Sequence, residues 1–411
     1  MLRNSDFGGA PARKGGGNSM GAAQAPRLFA VEEETGFRDG SGVLSYQGLK
    51  ALARAGEILA PAEFDPDQIQ PASIDLRLGR RAWRVRASFL PGSDKTVLER
   101  LAQLGSTEID LSKEAVFESG VVYVVELQES LRLTNGIWGM ANPKSSTGRL
   151  DVLVRLITNG ATRFDVVNRR YEGPLYLEVA PQAFSVVVQQ GIRLNQLRFI
   201  RGTSPSLSVG PVGGLEERYK RGQLVNPDGG LLPLRGNLVP VSIDLRGNGP
   251  RSIVGYKAKK TTDTINLTKI RHYNPRDFWE PIINIDGRLP LDKGDFYILA
   301  TREDVGVPPD LAAEMVPYDS SSGEFRVHYA GFFDPGFGYI GGRAQGSKAV
   351  LEVRSYGVSF LLEHAQIVGW LNYSRLSTGA RPDKLYGEGL QSNYQGQGVA
   401  LAKHFMPWPE E

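Results

Sequence analysis

A chain of 411 residues with 41% hydrophobic content is long enough to bury two cores of ordinary size. Its 48 basic and 45 acidic residues nearly cancel at +3, which gives no argument for nucleic acid, and the run Lys257-Ala258-Lys259-Lys260 reads as a solvated loop. Zero cysteines exclude disulfides and thiolate metal sites and fit a reducing cytoplasm, and no apolar run approaches the ~20 residues of a membrane helix.

The first segment, through about Gly40, is rich in Gly, Ala and Ser and lacks the layout of a signal peptide, so residues 1–40 are expected to be a flexible tail. Ser45 opens a helical stretch with Leu49, Leu52 and Ala53 on one face and Gly56 just past its end. Pro71-Ala72-Ser73-Ile74-Asp75-Leu76-Arg77 follows, and then the pattern changes to strands. Val121–Val125, Leu175–Val179 and Phe184–Val188 are short, β-branched or aromatic, and bounded by Gly, Pro or Asn.

Between them lies the loop Pro143-Lys144-Ser145-Ser146-Thr147-Gly148-Arg149. Two cations flank three hydroxyls and a glycine, so several donors can converge on one oxyanion, and charge-assisted bonds to phosphate are strong. The same composition suits a solvated turn. Glu178 sits between apolar strand neighbours, where a buried acid is costly unless paired. Burial would raise its pKa towards the range a general base needs near neutral pH. It could equally face outward, because strand neighbours alternate faces.

Pro205 to Gly236, with its Gly-Gly and Pro steps, reads as a linker, with a boundary near Leu234. The expected domains are therefore 41–234 and 235–411. The second largely repeats the first. Pro240-Val241-Ser242-Ile243-Asp244-Leu245-Arg246 echoes the first motif at an offset of 244 − 75 = 169, and Leu351-Glu352-Val353 echoes Leu177-Glu178-Val179 at 352 − 178 = 174. Gly120, Tyr123, Glu129 and Pro143 match Gly294, Tyr297, Glu303 and Pro317, so a whole domain is duplicated. Phe296–Leu299, Val350–Val353 and Val358–Leu362 supply the corresponding strands. The counterpart of the serine loop, Pro317 to Glu324, has acids where the first copy has bases. Many short strands with Gly and Pro punctuation imply a β-sandwich or compact barrel.

With no Cys and with histidines at 272, 328, 364 and 404, neither His-Glu-x-x-His nor a His/Cys/Cys zinc site can be written. A Gly-x-Ser-x-Gly elbow and a phosphate loop ending in Gly-Lys-Ser/Thr are also missing.

Taken together, the motifs resemble the dCTP deaminases of the trimeric dUTPase-like superfamily. Pro-Ala-Ser-Ile-Asp-Leu-Arg-Leu-Gly looks like their amino-terminal motif, and Pro-Lys-Ser-Ser-Thr-Gly-Arg is similar to their Gly-Arg-Ser-Ser-x-x-Arg loop, with Lys144 for the first Arg. Phe333-Asp334-Pro335-Gly336-Phe337 resembles the Asp-Pro-Gly-aromatic turn, with Glu352 on the following strand. Gly191 to Leu197 is similar to the Gly-x-x-Ile-x-Gln-Leu strand, and Tyr386 with Asn393-Tyr394-Gln395-Gly396-Gln397 resembles the nucleotide-closing tail. Each half departs from the pattern. The first has Asp165 to Gly173 in place of the turn; the second lacks the loop cations, inserts Gly341 to Gly346, and has Asn393 where Lys is usual.

The resemblance implies a mainly β chain of two tandem dUTPase-like barrels of β-clip type, with few short helices. It implies zinc-free hydrolysis of dCTP to dUTP and ammonia, with Mg²⁺ riding on the nucleoside triphosphate. Glu178 or Glu352 would be the base, Ser145 and Arg149 would position water and base, and Lys144 and Ser146 would meet phosphate. Asp334, Tyr386 and Gln397 would complete the substrate site. A dUTP diphosphatase or a non-catalytic nucleotide-binding scaffold is the alternative. The expected assembly is a homotrimer of two-domain chains without nucleic acid or membrane partners. Strict alternation of unlike copies cannot close a ring of three, so a ring of first copies stacked on a ring of second copies is expected, with Glu178 as the working base; a site mixed from both copies would use Glu352.

Overall fold

The computed structural model describes residues 40–134, 136–203, 214–226, 230–249, 251–283, 286–317, 325–328, 331–377, 382–387 and 398–409. Almost all of the expected tail, the second-half loop from Tyr318 to Glu324, and Asn393 to Gln397 lie outside the described residues. Within them the chain is mainly β with few short helices, as the resemblance implies.

The stretch after Ser45 is the helix Tyr46–Arg54, which buries Tyr46, Leu49 and Leu52. Gly56, at φ 72, turns the chain out of it. A second helix, Val97–Leu104, begins with a reciprocal capping box between Thr96 and Glu99 and ends at left-handed Gly105. The spacing Thr96-x-x-Glu99 announces this helix in the sequence.

In the first half one sheet runs in the order Val152–Thr158, Glu172–Pro181, Val122–Arg132, Ile74–Val85, Arg193–Arg201, Ile137–Pro143, Val166–Val167. Asp165 curls it into a barrel. Its amide donates to Leu156 O (3.0 Å), its carboxylate accepts from the Leu156 amide (2.8 Å), and its carbonyl accepts from the Ala141 amide (2.9 Å). The first and sixth strands are thereby joined. The second half repeats the plan with Ile253–Ala258, Phe296–Val305, Ser347–Ser355 and Phe325–His328 in one sheet and Leu238–Ser242, Ile367–Arg375 and Leu311–Pro317 in another.

The duplicated motif is chiefly a fastening. Buried Glu129 accepts from Gln68 Nε2 (2.7 Å) and from the Arg77 amide and Nε (both 2.8 Å). Glu303 accepts from the Ser242 amide (2.7 Å) and Oγ (2.6 Å). Each acid pins its motif to a long strand, and removing one partner would leave an unsatisfied buried carboxylate.

The halves interlock. Ile265–Asn266 runs parallel to Val186–Val187, and Phe278, Trp279, Ala402 and Phe405 join the core built by the first-half strands. Burying a side chain such as Phe405 stabilises by about 1.5–3 kcal/mol, so the C-terminal segment is held by its own apolar anchors. Arg198 crosses the seam, donating to Ala313 O (3.0 Å) and Asp334 Oδ1 (3.3 Å) while its guanidinium lies 4.0 Å from the Phe332 ring centroid.

Candidate active site

The serine loop leaves the strand Ile137–Pro143 where the Lys144 amide still donates to Leu194 O (2.9 Å). It then tightens into the single turn Ser145–Gly148, with the Thr147 and Gly148 amides donating to Lys144 O at 2.8 and 3.0 Å. Ser146, Thr147 and Arg149 are buried. Two clamps from the second half hold the loop. Arg149 Nη1 donates to Ala400 O (3.0 Å), and Asp151 pairs with Arg354 on the Glu352 strand.

These clamps close a cavity of about 440 Å³. Lys144, Ser145, Ser146 and Arg149 line it from the first half, with Asp334, Glu352 and Tyr386 from the second. Asp75, Arg193, Gln196, Lys403 and His404 also line it. Asp75 fixes Lys144 through an ion pair. In the second copy its equivalent Asp244 accepts instead from the amides of Arg246 and Gly247 (both 2.9 Å), making a local turn.

The turn carrying Asp334 depends on Gly336, at φ 95, where an added Cβ would stand 2.9 Å from Leu385 Cβ. Tyr386 packs on this turn, its amide donating to Pro335 O (2.9 Å) and its ring centroid 5.4 Å from that of Phe337. Burial pushes the Asp334 carboxyl up, partly offset by Arg198.

Glu352 is 6% exposed, and burial pushes its pKa up to about 8 despite the opposing charge of Arg149. A carboxyl in this range can take a proton near neutral pH and return it. Elsewhere in the second half, Glu314 is likewise raised by burial and accepts from Asn372 Nδ2 (3.0 Å).

Glu178 does not line the cavity. It is buried in the strand Glu172–Pro181 and accepts from Arg155 Nε (2.8 Å), whose guanidinium lies 3.8 Å from the Phe164 ring centroid. Beside it, burial raises Asp165 to about 7, against the Leu156 amide and the Arg155 charge. The structure thus joins seven of the expected site residues in one chain and leaves Glu178 apart. Within one chain the first copy's serine loop thus shares its cavity with the second copy's glutamate rather than with Glu178, which the stacked-ring expectation favours. Gln397 lies outside the described residues.

Sequence reasoning missed Asp75, Arg193, Lys403 and His404 as lining residues. Asp75 stands in the duplicated motif and Arg193 in the Gly191-to-Leu197 strand, so both had a signal. Lys403 and His404 follow the tail motif and had none. Burial, then Lys403, presses His404 down to about 4, leaving it neutral near pH 7. Among the described residues no group of three or more His, Asp or Glu side chains is placed to hold a metal ion, and no helix is long and apolar enough to cross a membrane.

The family model described as the 2'-deoxycytidine 5'-triphosphate deaminase N-terminal domain matches residues 40–203, and that of the C-terminal domain matches 214–405. The crystal structure of 2'-deoxycytidine 5'-triphosphate deaminase from Agrobacterium tumefaciens is 45% identical, with a TM-score of 0.78, covering 86% of this chain and 100% of that one. The dCTP deaminase of Halorubrum lacusprofundi is 24% identical over 160 residues, 38% of this chain and 76% of its own length. A protein from Methanosphaera stadtmanae named "dCTP deaminase, dUMP-forming" is 27% identical over 168 residues, 40% of this chain and 81% of its own length.

Proposed function

Because the chain belongs to the 2'-deoxycytidine 5'-triphosphate deaminase family, a family of enzymes, we propose that it hydrolyses dCTP, taken as its Mg²⁺ complex, to dUTP and ammonia in the composite cavity. The observation that carries this reading is a buried, pKa-raised Glu352 sharing one cavity with the serine loop of the other copy.

Glu352 takes a proton from water as the oxygen adds to C4 of cytosine. It returns that proton to the amino nitrogen, and the C4–N bond then breaks to release ammonia. Arg149 favours the ionised form of Glu352 that takes the proton, Ser145 helps position the water, and Lys144 and Ser146 meet phosphate. Asp334, fixed by Arg198, and Tyr386, packed at a tilt against Phe337 of the turn, shape the substrate side of the cavity. The zinc-free reading rests on donor chemistry, since the chain has no cysteine. Zinc chelators at saturating Mg²⁺ should therefore leave turnover unchanged, and stoichiometric zinc in active protein would overturn this part. We also take the chain to form a soluble threefold homo-oligomer with one composite cavity per chain, which sedimentation would test.

Relatives named as dUMP-forming favour a second reading, in which the phosphoanhydride is hydrolysed as well. Incubation with dCTP and Mg²⁺, followed for ammonia, dUTP, dUMP and pyrophosphate, separates the two. Ammonia with dUTP supports the proposal, ammonia with dUMP the second reading, and no ammonia contradicts both.

A further inference from the structure

We propose that Asp151 and Arg354 form the positioning pair of the reaction, tying the serine loop to the strand of Glu352 so that one ion pair sets where the loop stands relative to the base. This assignment rests on the deaminase reading above. Arg354 follows Glu352 by two residues on the strand Ser347–Ser355, so the two side chains leave the same face. Its guanidinium donates to the Asp151 carboxylate with one nitrogen and to Gly294 O with another. Arg354 is therefore fixed from its own half as well as from the first. The first copy has Ala180 at the corresponding position, 354 − 174 = 180, so the cation accompanies only the glutamate that lines the cavity.

Asp151 is held just as firmly. Its amide donates to Gly148 O (2.8 Å) at the end of the serine turn, and its carbonyl accepts from the Gln182 amide (2.8 Å). Its backbone stands at φ 55, in the left-handed region where a side chain is strained and glycine is at ease. That strain is tolerated at a position whose side chain is 1% exposed and paired with Arg354, which marks the carboxylate as the reason for the residue. The pair also reaches Glu352 electrically. Burial raises the Glu352 carboxyl, Arg149 opposes the rise, and the Asp151 charge adds to it. Opposite Glu352 in the flanking strands stand Ile298 and His328, and Lys144, Asp334, Lys403 and His404 are among the titratable groups that share its cavity. The two members of the pair therefore act on the base in opposite directions. The carboxylate holds a proton on Glu352, and the guanidinium masks part of that carboxylate's charge.

Three variants of the full chain test this. Asp151→Gly suits the backbone and removes only the carboxylate, Arg354→Met removes the guanidinium and keeps the alkyl stem, and Arg354→Lys keeps a cation. Per folded molecule, Asp151→Gly and Arg354→Met should each lower kcat for ammonia release about 10- to 100-fold with little change in KM, as a small misplacement of the base implies. Arg354→Lys should recover most of that loss. A second readout needs no turnover: the carboxyl band of Glu352 in pH-difference infrared spectra, identified by its loss in Glu352→Gln. Its titration should move to lower pH in Asp151→Gly and to higher pH in Arg354→Met. A loosened loop alone would move both variants the same way or neither, and that result overturns the assignment. A kcat in Asp151→Gly within about threefold of the unaltered chain also overturns it. Opposed shifts in a chain that releases no ammonia from dCTP would defeat the deaminase reading alone.

Discussion

Two glutamates occupy the same Leu-Glu-Val triplet in the two copies, and what lies across the sheet from each differs. Glu178 stands opposite Arg155 in the neighbouring strand, whereas Glu352 stands opposite His328. The first acid is consumed by an ion pair with a guanidinium that also packs on Phe164. The second, without a guanidinium opposite it in register, is raised to about 8 and lines a cavity with Arg149. A similar division separates Asp165, which closes the first barrel, from Asp334, which lies 334 − 165 = 169 residues later and faces the cavity. Glu178 is thus tied up by a guanidinium 178 − 155 = 23 positions away in sequence, across the sheet from it.

Among the supporting tests, the largest expected effect breaks the cavity half of this contrast. Arg149→Ala should lower kcat about 10²–10³-fold by removing the charge that opposes Glu352, and steady-state ammonia release measures it. A loss of less than about threefold would leave Arg149 a structural clamp with no part in the chemistry.

The next targets the paired half. Arg155→Met leaves Glu178 buried without its partner, and losing one member of a buried pair costs about 3–5 kcal/mol. Arg155 is itself 29% exposed, which places the expected loss of stability at the lower end. Denaturant unfolding should show it, with turnover per folded molecule unchanged.

A third prediction sets the acids against each other. A carboxyl raised above its ordinary value near 4.5 binds more protons folded than unfolded, so its contribution to stability falls as pH rises from there to about 8. Glu352→Gln removes that cost and should stabilise the chain at alkaline pH by on the order of a few kcal/mol. Glu178→Gln should destabilise it. Melting curves across pH 5–9 that move both variants in one direction would erase the distinction.

The smallest effect is in the pH profile. A base that must be ionised makes kcat/KM climb about tenfold per pH unit and level near 8. A profile flat from pH 6 to 8 would assign the titration elsewhere.

Much of this was legible in the chain itself. Short β-branched or aromatic runs with Gly and Pro punctuation gave the β class, and the long-period repeat gave two copies whose motifs could be compared. Leu49 and Leu52 bury as their helical spacing implies. What could not be read was which copy's loop meets which copy's strand. That depends on the Asp151–Arg354 pair, the Arg149–Ala400 contact and the Arg198 seam, all joining residues more than 100 positions apart. Lys403 was invisible as a lining residue for the same reason, because only the fold shows that the segment anchored by Phe405 reaches the cavity. Arg155 was in plain view, but only strand register shows that it faces Glu178.

The most direct measurement is ammonia release from Mg²⁺-dCTP by Glu352→Gln and Glu178→Gln, each corrected for folded fraction. Loss of the general base should lower kcat about 10²–10⁴-fold in Glu352→Gln, while Glu178→Gln keeps the activity of the unaltered chain. Loss confined to Glu178→Gln, or equal losses in both, would contradict a single composite site built around Glu352.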